Sequence, residues 1–155
     1  MSVRIHEAHH GPLLAEARRL IVAYVDWLGV DVSYQDFEAE LAALPGKYQP
    51  PHGALRVALV GDAAVGVGGL RPLEPGIGEL KRVFVSPAAQ GQGAGRAIVE
   101  ALVADARRIG YRRLRLDTLE RLHAANSLYE RLGFVDIPAY RENPFQGARF
   151  MELTL

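Results

Sequence analysis

The chain has 155 residues, 49% of them hydrophobic and 23% charged, a balance that fits one folded domain spanning 1–155. Eighteen basic residues offset eighteen acidic ones and cysteine is absent. That excludes a disulfide framework, a thiolate nucleophile and a thiolate metal site, and it gives no general support for nucleic-acid or membrane binding.

The opening MSVRIHEAHHGPLL lacks the charged start and apolar core of a secretory signal. No apolar run approaches the ~18–20 residues of a membrane span, so the expectation is a cytoplasmic protein. Val3 and Ile5 alternate with polar residues and predict a short strand. His6, His9 and His10 cluster here, but no further ligand stands at a metal-binding spacing, and no metal site is expected.

From Pro12 to Leu28, the residues Leu13, Leu14, Ala17, Leu20, Ile21 and Tyr24 recur at helical spacing, with Gly29 just beyond. A second helix is predicted over 33–44, with Ser33 as its cap and Asp36 three residues on. ALRVALV at 54–60, a Gly61–Asp62 turn and AVGVGGLRP at 64–72 read as a hairpin, which GELKRVFV at 78–85 extends to a meander. A helix is predicted over 94–109, closed by Gly110. A strand follows at 112–118, then a helix at 124–133, and two strands at 134–137 and 148–155 complete the chain.

The order is β-α-α-β-β-β-α-β-α-β-β. It departs from the regular alternation of doubly wound folds, and the fold class is α/β in the α+β sense: one mixed sheet with helices on both faces. The final strand, if exposed, offers pairing across a homodimer.

VFVSPAAQGQGAGR at 83–96 places glycines between a strand and a helix start, where backbone N–H groups and the helix dipole favour an anion. A P-loop is excluded because no GK[ST] is present. The dinucleotide GxGxxG pattern fails at Arg96 or Ile98, depending on which glycine begins it. What remains is Gln90-x-x-Gly93-x-Gly95, followed later by AANSLYERLGF at 124–134.

Together these stretches resemble the GNAT superfamily of N-acetyltransferases, and the strand order matches that family's fold. The resemblance implies direct transfer of an acetyl group from acetyl-CoA to a primary amine of a small molecule, both bound together. It assigns Gln90, Gly91, Gln92, Gly93, Ala94, Gly95 and Arg96 to the coenzyme diphosphate. Phe84 and Val85 pair with the pantetheine arm, and the Val85 N–H receives the acyl oxygen if the family's bulged strand is present. Asn126 hydrogen-bonds the coenzyme, Tyr129 is the general acid, and Glu79 is the candidate base. For Glu79 the alternative is a solvent-facing residue paired with Lys81 or Arg82. Asp117 and Thr118 end a strand near the expected thioester, and His123 precedes the Asn126/Tyr129 helix.

The acceptor site is expected among 29–36, 45–53 and 139–147. These segments hold Tyr34, Tyr48, Tyr140, Phe145, Asp31, Asp36, His52, Arg141 and Glu142, and Arg141 is a natural partner for an acceptor carboxylate. The alternatives are a non-catalytic acyl-CoA-sensing module and an acetyltransferase acting on proteins.

Overall fold

The structure is a computed structural model that describes residues 2–31 and 36–155. Its elements are β1 (Val3–Glu7), α1 (Pro12–Leu28), α2 (Phe37–Ala43), β2 (Ala54–Val60), β3 (Ala63–Glu74), β4 (Ile77–Val85), α3 (Ala94–Ile109), β5 (Arg113–Leu119), α4 (His123–Arg131), β6 (Val135–Asp136) and β7 (Ala148–Thr154). The seven strands form one sheet in the order β1-β2-β3-β4-β5-β7-β6. Every neighbouring pair is antiparallel except β4 and β5.

Helices cover both faces of the sheet. On one face α3 buries Ile98, Val99, Leu102 and Ala106 against Leu70, Leu80, Leu114 and Met151. On the other, α1 sets Ala17, Leu20 and Ile21 on Leu55, Val57, Val67 and Phe84. The glycines of β3 make this close packing possible. A Cβ at Gly68 would stand 2.6 Å from Ile98 Cγ2 and 2.9 Å from Leu102 Cδ1, and one at Gly69 would stand 2.7 Å from the Tyr48 ring. Gly29 and Gly110 end α1 and α3 in the left-handed conformation.

Two elements differ from the sequence expectation. The second helix begins at Phe37 because Asp36, at φ 53°, takes the left-handed conformation and makes no side-chain cap; Ser33 lies outside the described residues. The final strand is not a bare edge, since β6 pairs with it at Met151 and Glu152. Among the described residues, no helix is long and apolar enough to cross a membrane.

The site depends on how β4 and β5 separate. Their parallel pairing covers only Ile77–Glu79 against Arg113–Arg115, after which the strands part. On its other edge β4 carries a bulge: the register with β3 shifts between Val67–Phe84 and Gly69–Lys81. Within that bulge Arg82 stands at φ 62°, one of two described non-glycine residues with positive φ. A bulge bends its strand and increases local twist, which carries the end of β4 away from β5.

Candidate active site

Two cavities meet at this split. The larger, about 500 Å³, lies between the end of β4, the following loop, the start of α3 and one side of α4. Its volume is in the range of small-molecule sites. The smaller, about 70 Å³, is walled by α1, β4, β5 and the segment bearing Asn143 and Phe145. Tyr24, Val83, Leu122, Ala125 and Tyr129 line both.

The loop at the larger cavity uses its glycines for conformation. Gly91 and Gly93 both stand at φ 85° with open space where a Cβ would be. Gly93 is the N-cap of α3, and no side chain caps that helix. The first helical bond runs from Ala97 N to Gly93 O. Hence the N–H groups of Ala94, Gly95 and Arg96 have no intrahelical acceptor, and all three residues line the cavity. Such a terminus suits a phosphate group. Arg96 adds charge at the rim, where it pairs with Glu100 at 2.9 Å.

Further along the wall, Val85 faces Gly66 of β3, and Ser86 N donates to Val65 O at 2.8 Å. That register makes Val85 a non-hydrogen-bonded position, with its N–H and C=O turned away from β3 toward the split. Gln90 Nε2 donates to the Val85 carbonyl at 3.1 Å, tying the loop back to the strand. Together the outward strand edge and the uncapped helix form a surface that fits an extended amide chain ending in phosphates.

Of the residues predicted from sequence, Phe84, Val85, Gln90, Gly91, Gly93, Ala94, Gly95, Arg96 and Tyr129 line this cavity, and Gln92 and Asn126 do not. Asn126 turns inward. It donates to Leu119 O at 2.9 Å and accepts from the Thr118 hydroxyl at 3.0 Å, so it anchors α4 to the end of β5. Its neighbour Tyr129, one turn on, is 6% exposed. Burial is the main cause that raises the Tyr129 phenol above the usual tyrosine range, with Tyr24 and Asp117 adding to it.

Glu79 is not the solvent-facing residue of the alternative reading. It is fully buried and lines neither cavity. Arg71 Nε donates to Oε1 at 3.0 Å, the Tyr140 hydroxyl donates to Oε2 at 2.6 Å, and Arg141 pairs with the same oxygen. The cluster continues through Arg71 to Glu40, which Arg82 holds at 3.0 Å. The two sequence-adjacent cations named as its partners go elsewhere: Arg82 to Glu40 and Lys81 to Asp117.

The acceptor-side expectations change accordingly. Arg141 is committed to Glu79 and is not presented to an acceptor carboxylate. Tyr48 is core, bonded to Glu40 at 3.1 Å. The 45–53 loop contributes no residue to either cavity, and Tyr34 lies outside the described residues. The smaller cavity instead carries Lys81, Arg82, Asp117, Thr118, Asn143 and Phe145. Asp117 accepts from Lys81 at 3.5 Å and from Asn143 at 3.3 Å. Sequence reasoning also missed Tyr24, Trp27, Arg121 and Arg131 on the larger cavity. Of these, only the exposed Trp27 carried a signal, as a large aromatic near the end of an amphipathic helix.

Residues 15–134 match the Acetyltransferase (GNAT) family. The chain belongs to the GNAT acetyltransferase family. It is similar to an uncharacterized N-acetyltransferase of Schizosaccharomyces pombe, 33% identical over 144 residues that cover 92% of this chain and 88% of the relative. Among solved structures, it is similar to an acetyltransferase from Streptococcus agalactiae with TM-score 0.79 and 23% identity, covering 99% of this chain and 98% of the other. A Bacillus subtilis acetyltransferase in complex with CoA aligns with TM-score 0.71 and 21% identity, covering 99% of each chain. This GNAT chain is therefore an acyltransferase on the fold its sequence predicted, and its family uses acetyl-CoA with an acceptor substrate.

Proposed function

We propose that this chain transfers an acetyl group from acetyl-CoA to a primary amine of a small molecule, directly and with both substrates bound. The observation that carries the reading is the meeting of two cavities at Val83 and Tyr129, across the split between β4 and β5. The larger cavity takes the coenzyme. The N–H groups of Ala94, Gly95 and Arg96, with the turns at Gly91 and Gly93, hold its diphosphate, and Gln92 serves through its place in that loop. Phe84 and Val85 present the strand edge to the pantetheine arm, much as a sheet takes an added strand.

Acyl transfer needs a donor where oxyanion charge develops. Val85 lines only the coenzyme cavity, whereas Val83 lines both. The oxyanion donor is therefore the backbone at Val83, and Val85 serves the pantetheine arm. Tyr129, kept protonated by burial, gives its proton to the leaving sulfur. Glu79 is a fixed, buried anchor outside both cavities, held by two arginines and a phenol. Asp117 is the carboxylate that lines the acceptor cavity and takes the proton of the incoming ammonium.

Calorimetric titration with acetyl-CoA, beside a thiol-release assay over amino acids, polyamines and aminoglycosides, tests this reading. Binding with thiol release on one amine class is the expected result, with a lysine-containing peptide as the control for a protein acceptor. No binding would overturn the assignment of the glycine loop. Binding with release only on the peptide would overturn the small-molecule acceptor.

A further inference from the structure

Lysine occurs twice in this chain, at 47 and 81, and arginine fills the other sixteen basic positions. The two side chains are not interchangeable: an amine loses its proton when buried and becomes a nucleophile, whereas a guanidinium stays charged. Lys47 is exposed on a short turn. Lys81 is 5% exposed and lines the acceptor cavity beside Val83 and Tyr129.

The position of Lys81 follows from the sheet. Glu79 and Arg115 are the last paired residues of β4 and β5. One same-face step further along each strand come Lys81 and Asp117, 3.5 Å apart. Their ion pair lies beyond the last paired residues of the split, in the wall of the cavity that Val83 and Tyr129 also line. Burial is the main influence on the Lys81 ammonium and lowers its pKa. Asp117 and Glu79 act against that, and Arg82 and Arg71 act with it.

We propose that Lys81 is itself an acetyl acceptor, so that the chain with acetyl-CoA and no external amine acetylates its own Lys81 Nζ. This rests on the acetyl-CoA reading above. The ammonium of Lys81 passes one proton to Asp117, and the neutral Nζ forms the C–N bond to the acetyl carbon as the C–S bond breaks. Tyr129 protonates the departing sulfur and recovers a proton from the new amide nitrogen. The products are N-acetyl-Lys81, protonated Asp117 and the free thiol of coenzyme A. Acetylation removes the cation facing Asp117 and places an acetyl group in a cavity of about 70 Å³, which closes that cavity to external amines.

The test incubates the full chain with acetyl-CoA alone, follows intact mass, and maps the modified peptide, with binding measured separately by calorimetry. The expected result is one added acetyl group at Lys81. It is lost in Lys81→Arg, kept in Lys47→Arg, and about a hundredfold slower in Tyr129→Phe. Labelling by acetic anhydride without coenzyme gives a second readout, in which Lys81 reacts at lower pH than a free lysine side chain. Acetyl-CoA binding with no mass gain, or acetylation at Lys47 in place of Lys81, would overturn this proposal alone. Reaction of Lys81 only at or above the pH at which a free lysine side chain reacts would also overturn it. Absence of acetyl-CoA binding would overturn the coenzyme reading, and this proposal with it.

Discussion

Burial keeps the Tyr129 phenol protonated well above neutral pH, which is the form a general acid needs and a poor one for a base. Tyr129→Phe should therefore lower kcat about a hundredfold or more while leaving the calorimetric affinity for acetyl-CoA nearly unchanged. Glu79 leads to a different expectation. Its carboxylate pairs with both Arg71 and Arg141 inside the fold, and removing one partner of a buried pair costs about 3–5 kcal/mol. Glu79→Gln should accordingly lower the urea midpoint. The limb of the rate profile that reports the base should persist in whatever activity survives, because Asp117, the base proposed above, is untouched. Disappearance of that limb in a folded Glu79→Gln protein would restore Glu79 as the base. Nothing in GELKRVFV distinguishes a carboxylate facing a substrate from one facing two guanidiniums. Arg71, Tyr140 and Arg141 reach Glu79 only after β3 and the segment before β7 have folded beside β4.

The elements themselves were more legible. Hydrophobic period, bounding glycines and Pro12 placed α1 and α3 within a residue, because those signals are local. The start of α2 was not legible. Its apparent cap at Ser33 matched a pattern, whereas Asp36 adopts the left-handed conformation before Phe37. The GVGG stretch at 66–69 could be set aside as a phosphate loop, but its purpose appears only when α3 is laid over β3. Gly68→Ala should cost about 1–3 kcal/mol through overpacking against Ile98 and Leu102, measurable as a lower urea midpoint with an unchanged m-value. Gly93→Ala meets no neighbour. Its cost is about 1–2 kcal/mol from the left-handed backbone alone, together with weaker acetyl-CoA binding as the loop shifts. If Gly93→Ala were as stable as the parent and bound the coenzyme equally, the loop's conformation would not matter to the site.

At the scale of the molecule, buried and half-buried ion pairs join elements distant in sequence: Asp105 of α3 with Arg56 of β2, and Glu40 of α2 with Arg82 of β4. Burial pushes both carboxyls up, but hydrogen bonds from Arg56 and Arg108 to Asp105, and from Arg82 to Glu40, outweigh it and hold both below their ordinary values. The folded state thus binds fewer protons than the unfolded chain near those values. The stability these pairs supply is complete above the unfolded pKa of about 4 and is lost as pH falls through the lower folded pKa. Urea midpoints should drop steeply below about pH 4, and Asp105→Asn should flatten that slope while lowering stability at neutral pH by about 3 kcal/mol. The parted strands carry a separate consequence. A sheet whose β4–β5 pairing stops at Glu79 and Arg115 leaves the N–H groups of β4 that face the split, Val85's among them, to exchange with solvent until something occupies the gap. In deuterium exchange, Val83 and Val85 should become protected when acetyl-CoA is added, with little change along β1 and β2. The bound coenzyme then behaves as a missing strand, and the protein's most rigid form is the one that is loaded and ready to react.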